Sequence, residues 1–109
     1  MASPVIEAKQ QFLSQTSALA ATAIFTPTTS GLYRLTIYLN VASGTGGVTP
    51  VFDWTDTIGA QTRQFDPSNL GFPVSYTMLV YCVSGDAISV STSVTGSNTY
   101  NLYAVVEEL

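Results

Sequence analysis

Only 9% of the 109 residues are charged, three Lys or Arg against seven Asp or Glu, where a soluble domain commonly carries about 25%. With no His and one Cys, the chain has no Ser-His-Asp or Cys-His catalysis, no ordinary His-containing zinc site and no intramolecular disulfide framework. Lys9, Arg34 and Arg63 are too few and too scattered to track phosphates, and a net charge of -4 opposes nucleic acid and anionic membranes.

Polarity is supplied instead by 12 Ser and 15 Thr. The length predicts one domain over residues 1–109, with residues 1–15 as a candidate extended N-terminal arm. Met1-Ala2-Ser3-Pro4 shows no basic region leading into an apolar run, so no secretory signal is read there. The apolar stretch Ala18 to Phe25 is far shorter than the ~20 residues that cross a bilayer. Neither membrane insertion nor a nucleic-acid partner is expected, and synthesis in a cytoplasm is.

In chain order, the first 25 residues are the least periodic. Ile6, Leu13, Ala20 and Ile24 fit one helical face, but the many Ser and Thr and the missing caps favour one or two strands. From Gly31 the pattern is plain. Tyr33, Leu35, Ile37, Leu39 and Val41 alternate with Arg34, Thr36, Tyr38 and Asn40, which predicts a long strand with one buried face. Gly44-Thr45-Gly46-Gly47 breaks it, and Val48 to Thr57 reads as a second strand with Phe52 and Trp54 on one face. Ala60 to Phe65 suits an edge strand guarded by Arg63, and Asp66 through Gly71 is the strongest turn cluster. Phe72–Val83, Ile88–Val94 and Thr99–Val106 complete six strands from Gly31 onward, spaced at roughly 8–14 residues as in an antiparallel sandwich or barrel. About eight strands result.

Phe72–Val83 and Thr99–Val106 carry more apolar side chains than one face of a sheet accommodates. Either loops or the N-terminal segment cover the second face, or a second subunit does. Scarce charge and abundant Tyr favour the subunit. The candidate interface residues are Tyr76, Met78, Tyr81, Tyr100, Leu102, Tyr103 and Val105.

The segment from Phe25 through Gly31 and Tyr33 into Arg34-Leu35-Thr36-Ile37-Tyr38-Leu39 resembles the strand-opening segment of the C1q/TNF-like jelly-roll superfamily. With Trp54-Thr55-Asp56 and Tyr100-Asn101-Leu102-Tyr103-Ala104, it is similar to short bacterial and phage-associated proteins that open on the same Phe-Thr-Pro and Gly-Leu-Tyr-Arg residues. The resemblance implies an antiparallel jelly-roll sandwich that assembles as a homotrimer with its C-terminal strand near the threefold axis. The C-terminal Phe-Ser-Gly signature of C1q domains is absent, so their receptor-binding and calcium-binding roles are not carried over.

Asp53 and Asp56 form the one acidic pair inside a probable strand, and as ligands or a hydrolytic pair they would have to converge. Their i, i+3 spacing places them on opposite faces, which predicts a solvated Asp53 and a turn Asp56. The Gly44–Gly47 loop lacks the Lys and the following helix of a phosphate loop and reads as a hairpin. Cys82 reads as a buried thiol, Trp54 as a core or interface residue, and Tyr38, Tyr81 and Tyr103 as an aromatic stripe for packing. No catalytic, metal or cofactor site is expected.

The expected function is that of a non-catalytic homotrimeric structural module of a phage or virus-like particle, with self and other virion proteins as partners. The alternative is a module that captures a glycan or protein through trimer avidity.

Overall fold

The structure is a computed structural model and describes residues 5–109. The reading of Met1-Ala2-Ser3-Pro4 lies outside the described residues. Eight strands make up the fold: β1 (Val5–Gln15), β2 (Thr22–Phe25), β3 (Gly31–Gly44), β4 (Val48–Thr55), β5 (Ala60–Gln64), β6 (Val74–Cys82), β7 (Ile88–Val94) and β8 (Asn98–Glu108). They form two antiparallel four-stranded sheets of order β1-β8-β3-β6 and β2-β7-β4-β5. This interleaving of sequence-distant strands across two sheets is a jelly roll, as the resemblance implies.

The period-two pattern of β3 sets the register of its sheet. Tyr33, Leu35, Ile37, Leu39 and Val41 point inward and are fully enclosed. β8 pairs with β3 so that Leu39 faces Leu102, Ile37 faces Ala104 and Leu35 faces Val106. Val48 and Phe52 of β4 and Ile88 and Val90 of β7 close the core from the other sheet. Each such side chain, wholly removed from water, contributes ~1.5–3 kcal/mol relative to exposure.

Residues 5–15, expected as a candidate arm, are an edge strand laid on β8, with Val5 beside Glu108 and Gln11 beside Tyr103. Two bulges interrupt it, and Ser14 at the second takes φ 53° while its N–H donates to Asn101 Oδ1 at 2.8 Å. The strand alternative for the N-terminal region is therefore the correct one. Its periodicity is faint because β1 lies at a sheet edge with few side chains enclosed, and only Ala8 and Phe12 pack against the core.

A buried polar network joins three segments. The Tyr100 hydroxyl donates to the Ser17 carbonyl at 2.7 Å and lies 2.7 Å from Thr92 Oγ1, which accepts the Leu19 N–H at 2.8 Å. Burial raises the Tyr100 phenol above its ordinary range. Tyr100, expected at a subunit interface, is thus the internal bolt between β8, β7 and the β1–β2 connection. Leu102 is likewise fully enclosed. Both belong to the protomer's own core, because the inward parity of β8 runs through Tyr100, Leu102, Ala104 and Val106.

Candidate functional site

The two sheets present unlike outer faces. On β7 and β4 the outward positions are Ser89, Ser91, Ser93, Thr49, Val51, Asp53 and Thr55, a surface of hydroxyls with one carboxylate. On the β1-β8-β3-β6 sheet the outward positions include Leu32, Tyr38, Leu79, Tyr81, Tyr103 and Val105. Leu32, Tyr38, Leu79 and Tyr81 are 48%, 42%, 58% and 40% exposed, which is far more apolar surface than isolated residues would leave. One ion pair crosses this face, Arg34 Nε to Glu107 Oε1 at 3.8 Å, and so open a pair adds ~0–1 kcal/mol.

Tyr81, Tyr103 and Val105 therefore lie on one outer face. The aromatic stripe is split, however. Tyr38 and Tyr103 are direct cross-strand neighbours with ring centroids 5.8 Å apart, whereas Tyr81 pairs with Leu32 at the other end of the face. Leu32 and Leu79 complete this patch and were missing from the predicted set. Their position opposite Tyr81 and Arg34 depends on β3–β6 register, which spacing alone does not reveal.

Tyr76 and Met78 point the other way. They line a cleft of 290 Å³ at the flank where β5 and β6 end their respective sheets, together with Arg63, Gln64, Phe65, Asp66 and Thr77. Phe65 stacks on Tyr76 with centroids 4.6 Å apart and planes 10° from parallel, and the Arg63 guanidinium lies 5.7 Å from the Phe65 centroid. The Tyr76 hydroxyl donates to the Asp66 carbonyl at 3.3 Å. The sequence carried no signal for this cleft, because the Asp66–Pro73 connection decides how the two strands approach.

The remaining candidates are structural. Asp53 accepts the Thr62 hydroxyl at 2.6 Å, and Asp56 Oδ1 caps a turn by accepting the N–H groups of Ile58 at 2.8 Å and Gly59 at 3.1 Å. Those donors, Ile58 first, hold the Asp56 carboxyl below its ordinary range. In the Gly44–Gly47 loop the Gly46 N–H donates to Asn98 Oδ1 at 3.1 Å and the Gly47 N–H to Thr95 Oγ1 at 3.0 Å. The loop is bound to the β7–β8 turn instead of offering its amides to a phosphate. Trp54 is half-buried against the core. Cys82 is enclosed, and burial pushes its thiol up to about 11. Among the described residues no three Cys, Asp or Glu side chains converge as a metal site.

No family model and no curated protein matches the sequence. Among solved structures, the fold is similar to a chain from Bacillus endospore appendages, described as a family of disulfide-linked pili. The two share 21% identity at a TM-score of 0.50, over 97% of this chain and 88% of that one. A carbohydrate-binding module from Cellvibrio mixtus lichenase 5A, in complex with cellotriose, aligns at 14% identity and a TM-score of 0.44 over 98% and 97% of the two chains. At such identities the likeness to the appendage chain establishes the β-sandwich fold alone.

Proposed function

We propose that this chain is a non-catalytic structural subunit that assembles with copies of itself through the outer face of the β1-β8-β3-β6 sheet. The observation that carries this reading is the contrast between the two faces. The β7–β4 face is mostly Ser and Thr, whereas the other sheet sets Leu32, Tyr38, Leu79, Tyr81, Tyr103 and Val105 outward around the Thr36–Thr77 pair, in a chain with only 9% charge. Burying that face takes Leu32, Tyr38, Leu79 and Tyr81 out of water, while Ile58 and Phe72 in the connections stay exposed. The assembly in this reading is a homotrimer with β8 near its axis, belonging to a phage or virus-like particle, as the C1q/TNF-like resemblance suggests. That a chain of similar fold belongs to a pilus is compatible with a structural role. Cys82, being buried, offers no link of the disulfide kind here.

Light scattering on the purified chain at micromolar concentration tests the reading: a mass that is a multiple of three 11.6 kDa protomers is expected, and a stable monomer overturns it.

The cleft beside Phe65 and Tyr76 favours a second reading, capture of a glycan or peptide with avidity supplied by the assembly. Its support is the aromatic stack flanked by Arg63 and Asp66. Titration of Tyr fluorescence with soluble oligosaccharides and peptides tests it; no change with any of them overturns it.

A further inference from the structure

The four edge strands of the sandwich are not alike. β1 is interrupted by two bulges and carries Lys9, β2 has four residues and a bulge, and β5 has five residues with an exposed Arg63. These are the devices that keep sheet edges from pairing. β6 has none of them. Its nine residues, Val74-Ser75-Tyr76-Thr77-Met78-Leu79-Val80-Tyr81-Cys82, contain no charge, Pro or Gly, and their pairing with β3 runs from Val74 to Cys82 without a break. The strand is unbulged, uncharged and paired on one side only. Across the cleft, β5 does not close onto it, so Tyr76 and Met78 stay half-exposed although they belong to the inner face.

We propose that the free edge of β6 pairs antiparallel with β6 of a second copy of this chain, about a twofold axis at Met78, joining two sheets into one of eight strands. A second copy fits because this strand complements itself. Centring the pair on Met78 sets Ser75 across from Tyr81, Thr77 across from Leu79, and Tyr76 across from Val80. Outer residues meet outer residues and inner meet inner, as sheet continuity demands. Tyr81 faces Ser75, Tyr76 faces Val80 and Leu79 faces Thr77, Met78 meets its own copy at the axis, and no charge is brought near another. The other edges match less well, since pairing β6 with β1 would set its continuous ladder against two bulges. A twofold contact uses the same patch on both partners and closes on itself. It also lays the two outer faces, with their Leu79 and Tyr81 residues, side by side.

This contact rests in part on the self-assembly proposed above but uses a different surface, and two charge variants isolate it. In T77K/L79K the twofold register sets Lys across from Lys at both positions. In T77K/L79E the same register sets Lys across from Glu, while the outer face is altered to a comparable degree. Sedimentation velocity of the full chain is expected to show the T77K/L79K assembly at half the mass of the wild type and the T77K/L79E assembly at the wild-type mass, with matching far-ultraviolet circular dichroism. Two variants of equal mass, whether both intact or both dissociated, overturn the β6 contact. Loss of assembly on altering Tyr103, which stands on β8 with β3 between it and β6, reports the face alone. The two readings therefore fail separately.

Discussion

Tyr38 of β3 and Tyr103 of β8 stand directly opposite each other on the outer face of the β1-β8-β3-β6 sheet, rings 5.8 Å apart and inclined at 51°. Neither ring enters the core, so their replacement separates assembly from folding. The double variant Y38D/Y103D is expected to keep the wild-type far-ultraviolet circular dichroism while light scattering shows a smaller particle. An unchanged particle mass removes this pair from the subunit contact.

Tyr100 offers the opposite case. Tyr100→Phe keeps the ring in place but leaves the Ser17 carbonyl and the Thr92 hydroxyl without their partner. A buried polar group so orphaned costs ~1–3 kcal/mol. Urea denaturation is expected to show that loss with no change in particle mass at low denaturant.

Gly46 is held where side chains do not fit. A Cβ built there meets the Thr95 carbonyl in the facing turn, which is backbone and yields little. Gly46→Ala is therefore expected to destabilise the chain by about 1–3 kcal/mol, as overpacking does. Gly31→Ala, where a Cβ meets nothing within 4 Å, is expected to be far milder in the same denaturation assay.

Alkaline unfolding should report on Tyr33. Burial, reinforced by the Glu108 carboxylate, pushes its phenol up to about 12 from 10.0. Its single hydroxyl proton lies between the Thr29 carbonyl at 2.6 Å and Glu108 Oε2 at 3.0 Å. Because the folded-state value is the higher one, this contribution is whole below pH 10.0 and falls away as pH rises toward about 12. Thermal melts across that window are expected to decline more steeply for the wild type than for Tyr33→Phe, and parallel slopes would contradict the assignment.

Cys82 is expected to resist a thiol-specific reagent in the folded chain at neutral pH, since burial both shields it and pushes its pKa up to about 11. Rapid labelling without denaturant, followed by absorbance, would show that β6 opens readily.

The strands that were legible in the sequence are those with one face in the core and one toward water. β3 and β7 alternate cleanly because their outward positions are polar or hydroxyl-bearing. β1 is faint in the sequence, since an edge strand from which only Ala8 and Phe12 pack against the core has little periodicity to read. In β6 and β8 both faces are apolar, and an alternating pattern does not say which parity is inside. Spacing alone therefore does not separate Tyr100 and Leu102, which the core takes, from Tyr103 and Val105, which face outward. The cleft was illegible for a different reason: Phe65 and Tyr76 meet only through a long turn whose path spacing does not encode.

The place of β8 between β1 and β3 has a consequence for how the chain comes into being. The last of the eight described strands to be made is the one that joins its sheet together. Until it leaves the ribosome, β1 has no strand to lie on and one side of β3 stays bare, so that half of the sandwich cannot form progressively. Contacts this distant along the chain make folding slow, in the millisecond-to-second range typical of β-sandwiches. A chain stalled short of Asn98 would expose an unpaired β1 and a bare edge of β3 at once, and its hazard during synthesis is aggregation.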